Sequence, residues 1–395
     1  MPEEKQPGVT TVLTEPVVNK YVAAGKVTND VLKEVIAKAV EGAVVGDLCT
    51  YGDERIKALV GNLFKKEKEI ERGSCMPTCI SINNVVCHFS PLKSENPVVL
   101  KNGDVVKIDL GAHIDGYMAT AAHTIVVGAT KDNKVTGKKA DVVLATHYAL
   151  EAAIRSLHPS KNLQTTDVTN AISKVAEQYK VVPLENMLSH QVDKYEHSGL
   201  KEIIQNPTDE QLAKHEKKNF EENEVYVIDI FMSTGEGKGK NSESRTTVYR
   251  KNDIIYQLKM KHARQFISEV TKEYANMPFS IRNFANEAQT KYGVVECERH
   301  ALIQPYPVII EKDSEFVAHF KYTVLLTSNG ITKVAGLTFD DTVYQSEYKI
   351  QDPELRALIN DSLKKKAAKK EDEKKESGDA KKDEAKDGKK EETKK

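Results

Sequence analysis

The segment VVKIDLGAHIDGYMATAAHTIVV (105–127) constrains the fold more than any other stretch of the sequence. It predicts two strands joined at Asp115-Gly116, a pair typical of a tight hairpin turn. The first strand carries an inward-facing carboxylate, Asp109. A metal site would require a second carboxylate on the returning strand, where the sequence has Thr120 instead. The segment is therefore compatible with an enzyme that lacks one ligand, or with a former enzyme.

Helical and strand-like patterns recur along the rest of the chain. Apolar residues at helical spacing predict helices over 31–40, which Thr28-Asn29-Asp30 would cap, and over 56–64. Further helices are expected over about 138–157, 167–179 and 258–274, with a short surface helix at a capping box formed by Thr208 and Gln211. Strand patterns cover 79–86, 181–185, 225–231, 245–250, 317–327 and 331–337. Because helix pairs and antiparallel strands occur in a similar order in both halves, the sequence predicts an α+β fold of two related halves.

The sequence divides into three parts. Residues 1–14 are expected to be flexible, residues 15–360 to form one domain with an inserted polar segment at 206–222, and residues 361–395 to be disordered because they cannot bury a core. From Lys364 to Lys395 the tail has 14 lysines and 10 acidic residues, whereas the preceding chain has 44 basic and 49 acidic residues. The run KKKAAKK predicts a nuclear-import or phosphate-contact patch, with the lysines Lys364, Lys365, Lys366, Lys369 and Lys370.

Composition argues against several classes of protein. The net charge of −1 gives no global basic field of the kind that marks many nucleic-acid-binding proteins. The N-terminus is polar and no 18-residue apolar run occurs, so we expect no signal peptide, no membrane insertion and a soluble intracellular protein. The five cysteines include no CxxC pair and indicate a reducing compartment rather than a disulfide framework. No His or Cys partners occur at a spacing that suits zinc.

Four separated residues could converge in one cleft: His88 in CHFSP, Asp109 in KIDLG, His190 in MLSHQ and Asp229 in VIDIF. A two-metal hydrolytic site needs carboxylates and imidazoles of this kind, because two divalent ions require several bridging oxygen ligands. Each residue also has a simpler explanation. An aspartate in a strand commonly caps a turn or meets an arginine, and a single histidine commonly packs in the core. Taken one at a time, these residues favour the simpler explanation.

The order of the motifs resembles that of the type 2 methionine aminopeptidases, which are pita-bread metallopeptidases with two divalent ions. The similarity covers roughly 15–345 and rests on MPTCISINNVVCHFSP, KIDLGAHIDG, MLSHQ, VYVIDIFMSTGEG and HFKYTVLL. It implies that the family's metal-ligand positions fall on Asp109, Thr120, His190, Asp229 and Lys321. It also implies that His88 is the substrate-facing histidine. A second such histidine is replaced by Ser198, and the adjacent His197 should be directed elsewhere.

With Thr120 and Lys321 at two ligand positions, the resemblance implies a dismantled site without metal or other cofactor, and hence a pseudo-enzyme. A protonated lysine offers no lone pair and repels a divalent ion. Carboxylates that remain together without metal need a countercharge. We therefore expect Lys321 to form an ion pair with Asp109 or Asp229; the alternative is an ordinary lysine exposed on its strand.

Within the pita-bread group, the chain is most similar to the proliferation-associated proteins, also called ErbB-receptor-binding proteins, through FKKEKE, NNVVCHFSPLKS, IIQNPTDEQ, MPF and GVVEC. This resemblance implies a catalytically silent protein of the cytoplasm, nucleus and nucleolus. It would bind the ribosome (large subunit) and ribosomal or other structured RNA, and regulate translation, ribosome biogenesis and growth. Protein partners in growth signalling and transcription are also implied, as is DNA, which a fungal branch binds. The chain departs from the family at LRALI (355–359), where the family has an LxxLL-like motif, and in its mixed-charge tail.

Phosphate binding requires lysines and arginines gathered on one face. The RNA-binding candidates are Lys65, Lys66, Lys68, Lys214, Lys217, Lys218, Lys238, Lys240, Arg245, Arg250, Lys251, Lys259, Lys261 and Arg264. The glycine-rich GEGKGK loop among them would let the backbone approach a phosphate, and sparse aromatic residues favour salt-sensitive contact with structured RNA. Three functions stay open: a non-catalytic ribosome- and RNA-associated regulator, a one-metal aminopeptidase using Asp109, His190 and Asp229, and a DNA-binding or co-regulator adaptor.

Overall fold

The computed structural model describes residues 11–364 of the 395-residue chain. In that part the chain forms the α-helices α1 (Glu15–Lys38), α2 (Val45–Val60), α3 (Gly137–Ser156), α4 (Thr165–Tyr179), α5 (Asp209–Lys214), α6 (Lys261–Tyr274), α7 (Glu287–Arg299) and α8 (Pro353–Ile359). None of these helices is long and apolar enough to cross a membrane.

The same part of the chain contains seventeen strands, several of only two or three residues. They are β1 (Arg72–Ile82), β2 (Val85–Cys87), β3 (Val105–Ile114), β4 (Tyr117–Val126), β5 (Val135–Thr136), β6 (Val182–Pro183), β7 (Leu188–Val192), β8 (Glu202–Ile204), β9 (Val225–Ser233), β10 (Lys240–Asn241), β11 (Val248–Lys251), β12 (Phe279–Ser280), β13 (Ile303–Tyr306), β14 (Ile309–Ile310), β15 (Val317–Thr327), β16 (Gly330–Ala335) and β17 (Tyr344–Gln345).

One antiparallel sheet organises the domain. Its strands follow the order β1-β3-β4-β15-β9-β7-β8, with β16 beside β15 and β6 beside β9. Helices α1 and α2 cover the β1-β3-β4 half, and α3 packs on the β15-β9 half and on α4. The two halves meet between β4 and β15, where Ala122 and Lys321 are in register. We call this junction the seam. The α+β prediction of two related halves is confirmed.

The long hairpin shows why a polar site can exist at the centre of this sheet. All ten residues of β3 are buried, and its even-numbered side chains from Val106 to Ile114 join the core under α1 and α2. Alternation then places Lys107 and Asp109 on the opposite face. The turn is as predicted, with φ of 55° at Asp115 and 78° at Gly116. The polar face of β3 is therefore directed away from the helices.

Several predicted boundaries are wrong. The first helix begins at Glu15, well before Thr28. Thr28 is not a cap, because its hydroxyl donates to the carbonyl of Ala119 at 2.8 Å and accepts from the N–H of Ala112 at 3.1 Å. The strand predicted over 79–86 is divided between β1 and β2 by Asn83, whose φ is 50°. The helix predicted from residue 258 begins at Lys261.

Other predicted elements are shorter than expected or were missed. The strand over 181–185 is only β6, and the strand over 245–250 begins at Val248. The capping box is confirmed, because Thr208 and Gln211 exchange hydrogen bonds of 2.9 and 3.3 Å at the start of α5. Helix α7 was not predicted; with α6 and the short β11–β13 sheet it encloses a separate aromatic core that includes Phe266, Phe279 and Phe284.

Candidate functional site

The sheet register brings three predicted site residues into one row. Asp109 on β3 faces Ala122 on β4, which faces Lys321 on β15, and Lys321 in turn faces Asp229 on β9. Side chains of residues directly opposite each other in an antiparallel sheet lie on the same face. Asp109, Lys321 and Asp229 therefore converge across the seam, although they are far apart in the sequence.

The predicted ion pair of Lys321 is confirmed, and it involves both carboxylates. The ammonium nitrogen lies 2.8 Å from Asp109 Oδ2 and 3.1 Å from Asp229 Oδ2. Lys321 is only 8% exposed. Burial alone would lower the pKa of Lys321, but the two carboxylates raise it above its ordinary value. Burial likewise opposes ionisation of Asp229, but Lys321 and His319 lower its pKa. Both groups are therefore held in their charged forms.

His319 is a member of this network that sequence reasoning missed. Its Nε2 hydrogen-bonds Asp229 Oδ1, so Lys321 and His319 divide the two oxygens of that carboxylate between them. The imidazole stacks on Phe231 with ring centroids 3.8 Å apart, and the residue is 1% exposed. Its position two residues before Lys321 on β15 was the available signal, because alternate residues of a strand share a face.

Thr120 lies beside the network but contributes no charge. Its backbone N–H donates to Thr323 Oγ1 at 2.9 Å, and the Thr323 hydroxyl donates back to the Thr120 carbonyl at 2.8 Å. The space beside Gly111 is filled, because a Cβ there would lie 2.6 Å from Thr120 Cγ2 and 2.9 Å from Cys75 Sγ. Within the described residues, Thr120 Oγ1 and Asp109 Oδ1 are buried without a hydrogen-bond partner.

His190 lies on β7, at the more open side of the site. Its Nδ1 is 3.1 Å from Ser198 Oγ and 3.7 Å from Glu202 Oε1. The Nε2 of the adjacent His197 is buried without a hydrogen-bond partner in the part of the chain that the structure describes. Burial and the nearby Arg250 lower the pKa of His197 to about 3, and burial also lowers the pKa of His190. Both imidazoles are therefore neutral at pH 7.

His88 is held in place by the β13–β14 region. Its Nδ1 lies 3.0 Å from the carbonyl oxygen of Pro307, and its ring meets Tyr306 edge-on at 5.2 Å. A carbonyl oxygen can only accept, so this nitrogen carries the proton. Burial lowers the pKa of His88, while Asp109 acts in the opposite direction. His88 is thus a neutral imidazole within electrostatic reach of the network.

Closeness in sequence does not by itself place the basic RNA-binding candidates in one surface patch. Lys65, Lys66 and Lys68 are exposed beyond α2. In the 206–222 segment, Lys214 pairs with Glu210 at 2.6 Å and Lys218 donates to the carbonyl of Leu200 at 2.9 Å. Some of these side chains are thus already engaged in local contacts.

The glycine-rich loop contradicts one expectation. The N–H of Gly237 donates to Glu311 Oε2 at 3.0 Å, and Ser233 Oγ donates to the same oxygen at 3.1 Å. Glu311 is 2% exposed. A buried carboxylate of the protein itself therefore occupies the position that was expected to receive a phosphate. Lys238 and Lys240 are exposed around this loop.

A mixed basic and apolar surface surrounds the start of α6. The guanidinium of Arg264 donates to the carbonyls of Leu258 and Lys259 at 3.1 and 2.6 Å, and Arg250 donates to Gln304 Oε1 at 3.2 Å. Exposed apolar side chains lie in the same loop and on α7. We call this surface the α6–α7 face and define it by Lys259, Lys261, Arg264, Ile254, Ile255, Tyr256, Met260, Tyr292 and Val295.

The C-terminal motifs are only partly within the described residues. Lys364 pairs with Gly330 beside β16, whereas Lys365, Lys366, Lys369 and Lys370 lie outside the described residues, as does most of the predicted disordered tail. LRALI lies in α8, where Leu355 is 3% exposed and Leu358 and Ile359 pack against the core under α3 and α4. The leucine and isoleucine side chains of this motif therefore pack against the protein itself.

Comparison with known proteins defines the class to which this fold and site belong. The chain belongs to metallopeptidase family M24, whose model matches residues 19–256, and it has the pita-bread fold of that family. Within the family, its relatives are the proliferation-associated and ErbB-receptor-binding proteins, so that resemblance is confirmed.

Two relatives and one solved structure show how far the similarity extends. Proliferation-associated protein A of Dictyostelium discoideum is 45% identical over 93% of this chain and 95% of that protein. ERBB-3 binding protein 1 of Arabidopsis thaliana is 42% identical over 90% and 88%. The structure of a thermophilic Arx1 superimposes with a TM-score of 0.83 at 30% identity, covering 89% of this chain and all of that one.

The family's metal chemistry can be tested against the residues present. Among the described residues, no group of three or more His, Cys, Asp or Glu side chains is arranged to hold a metal ion. At the seam, the ammonium of Lys321 lies between the two carboxylates that would be ligands. A cation with no lone pair at this position does not fit a pair of divalent ions.

Proposed function

We propose that this protein is a non-catalytic member of the M24 fold that binds ribosomes and structured RNA and thereby regulates translation, ribosome biogenesis and cell growth. The observation that carries the non-catalytic part is the bridge from Lys321 to Asp109 and Asp229. Each carboxylate already has a positive partner within hydrogen-bond distance. A divalent ion would have to displace that ammonium and would then lack a ligand at Thr120.

The α6–α7 face supports the ribosome-binding part. Lys259, Lys261 and Arg264 provide positive charge that suits phosphate oxygens. Ile255, which is fully exposed, and Tyr292, which is 67% exposed, add apolar area that phosphates do not require. A surface with both properties fits a ribonucleoprotein, which offers RNA phosphates and protein side chains together, better than it fits naked duplex.

The family resemblance supplies the remaining detail of the proposal. It implies the large ribosomal subunit and ribosomal RNA as partners, and residence in the cytoplasm, nucleus and nucleolus. The KKKAAKK run provides a composition suited to nuclear import. The burial of Leu355 in α8 argues against LRALI as an accessible co-regulator motif, so the adaptor function has weaker support than the ribosome function.

Co-sedimentation with purified ribosomes across a salt series tests the proposal. The full-length protein should bind at low salt. It should dissociate as the salt concentration rises, because binding to phosphates releases counterions and added salt opposes that release. The triple variant Lys259→Glu, Lys261→Glu, Arg264→Glu should lose binding. For this variant, the slope of log K against log salt concentration should become less steep by about 2–3 units.

A matched variant controls for net charge. Lys65→Glu, Lys66→Glu, Lys68→Glu changes the charge by the same amount on another surface and should retain most of the binding. Equal losses in the two triple variants would indicate non-specific attraction, and no loss in either would contradict the role of the α6–α7 face. A chain that ends at Asp361 separates the folded domain from the tail, since retained binding assigns the contact to the domain.

The two other functions have direct tests. Release of methionine from Met-peptides with added Co²⁺ or Mn²⁺, abolished by His190→Ala, would establish a one-metal aminopeptidase and overturn the non-catalytic proposal. Stronger binding to duplex DNA than to structured RNA at equal salt would favour the adaptor function. Our proposal predicts no peptidase turnover and preferential binding to RNA.

A further inference from the structure

The seam depends on one side chain for its charge balance. Asp109 belongs to the first half of the sheet and Asp229 to the second, and Lys321 contacts both from β15. Strands β4 and β15, which join the halves, share a single register position, and Lys321 is one of its two residues. The ion network and the junction between the halves therefore coincide.

We propose that Lys321 is a resident cation that balances the charge of Asp109 and Asp229 at the positions where the family resemblance places metal ligands, so that the sheet is stable without dissolved metal. It follows that the single substitution Lys321→Glu creates a divalent-cation site at the seam. The inference rests on the non-catalytic part of the proposed function and does not require ribosome binding.

Charge balance supports the role of Lys321 as a resident cation. Asp109 is 5% exposed, and a carboxylate buried without a countercharge is strongly destabilising. His319 satisfies one oxygen of Asp229, but it does not contact Asp109 in the hydrogen bonds of the described residues. The ammonium of Lys321 is the positive group that contacts both carboxylates. Without it, the buried Asp109 and the partly buried Asp229 would be two uncompensated anions that face each other across the seam.

The atoms around Lys321 support the expected cation site in the Lys321→Glu variant. Asp109 Oδ2 and Asp229 Oδ2 already contact the ammonium, and Asp109 Oδ1 is buried without a hydrogen-bond partner among the described residues. A glutamate at 321 would add a third carboxylate to Asp109 and Asp229. Three carboxylates form an oxygen-rich donor set, which suits hard divalent cations such as Mn²⁺.

The test compares melting temperatures in chelator and in Mn²⁺ for four full-length proteins: wild type, Lys321→Met, Lys321→Glu, and the triple variant Asp109→Asn, Lys321→Met, Asp229→Asn. Wild type should melt at the same temperature in both conditions. Lys321→Met should melt lower by on the order of 5–10 °C in both, because the buried Asp109 and the partly buried Asp229 lose their countercharge. The triple variant should recover most of that loss, because it removes the charges together.

Lys321→Glu should respond to metal where Lys321→Met does not. Its melting temperature should be low in chelator and rise by several degrees with saturating Mn²⁺. After dialysis it should retain one Mn²⁺ per chain, and wild type none. Lys333→Glu is the control for an added acid, because Lys333 lies on the neighbouring β16 with its ammonium over the Tyr322 ring at 4.4 Å; this variant should show no response to Mn²⁺.

The outcomes separate this inference from the proposed function. A Lys321→Met protein as stable as wild type, or a Lys321→Glu protein that takes up no Mn²⁺, would overturn the inference while the ribosome proposal stands. If Lys321→Glu does not fold, the comparison of Lys321→Met with the triple variant still decides the role of the cation. Mn²⁺ binding by wild type together with Met-peptide hydrolysis would instead overturn the non-catalytic function.

Discussion

Single residues at the centre of the sheet show how a largely buried polar cluster is balanced in charge. Lys321 and His319 each take one oxygen of Asp229, and Lys321 also contacts Asp109. Each ionised group therefore has a partner of opposite charge or a hydrogen bond, which is the condition under which buried charges are tolerated. Histidines elsewhere in the core are buried as neutral rings instead.

His123 is such a neutral ring and makes stability depend on pH. It packs edge-on against Phe320 at 5.0 Å, and burial together with His147 lowers its pKa to about 3. In the unfolded chain the His123 side chain takes up a proton near pH 6.5. Its neutral ring therefore contributes fully to the free energy of unfolding above that pH, and this contribution is lost as the pH falls toward the pKa of His123 in the folded protein. The cost at this residue between pH 6.5 and 5 is about 2 kcal/mol.

Urea unfolding at pH 7 and pH 5 measures this effect. His123→Leu should lose about 2 kcal/mol less than wild type between the two pH values, because its side chain does not titrate. His262→Leu, which changes a half-exposed histidine of α6, should keep the difference seen in wild type. An unchanged pH difference in His123→Leu would show that other groups cause the acid sensitivity.

The sequence predicted this site only in part. Asp109, His190, Asp229 and the ion pair of Lys321 followed from motif order and charge balance. The contact of His319 with Asp229 did not, because it depends on which strands become neighbours, and β9 and β15 are distant in the chain. The binding of Glu311 to the glycine-rich loop was missed for the same reason.

Elements of the fold were predicted correctly where contacts between residues close in sequence determine them. The hairpin turn and the capping box of α5 are local, and both are confirmed. The start of α1 was misplaced because Thr28 has the composition of a cap but bonds the sheet instead. Helix α7 was missed because its sequence is largely polar, and its contact with α6 becomes visible only in the fold.

Close packing of α1 on the sheet gives a prediction about a glycine. A Cβ on Gly25 would lie 2.1 Å from the backbone oxygen of Val334 on β16. Gly25→Ala should therefore destabilise the protein by about 1–3 kcal/mol, although alanine is the better helix former. In α2, a Cβ on Gly46 would meet nothing closer than 3.8 Å, so Gly46→Ala should be neutral or slightly stabilising. Chemical denaturation of both variants provides the measurement, and equal effects would refute the packing argument.

At the scale of the whole molecule, the seam and the α6–α7 face are separate regions. The seam is buried at the centre of the sheet, whereas the α6–α7 face belongs to a region with its own aromatic core. Changes on that face should therefore leave the ion network intact. Under the proposed function, a seam without metal and a binding surface on the α6–α7 face therefore place no structural demand on each other.

Ile255 provides a direct test of the apolar part of the α6–α7 face. Its side chain is fully exposed, so the substitution Ile255→Asp should leave the melting temperature unchanged. If the face binds a ribonucleoprotein surface through apolar contact as well as charge, the same substitution should weaken ribosome binding by about tenfold even at low salt. Leu200→Asp, at another site that is 66% exposed, controls for the added negative charge. Equal weakening by both substitutions would mean that charge alone drives association, and the apolar side chains of the face would then have no part in recognition.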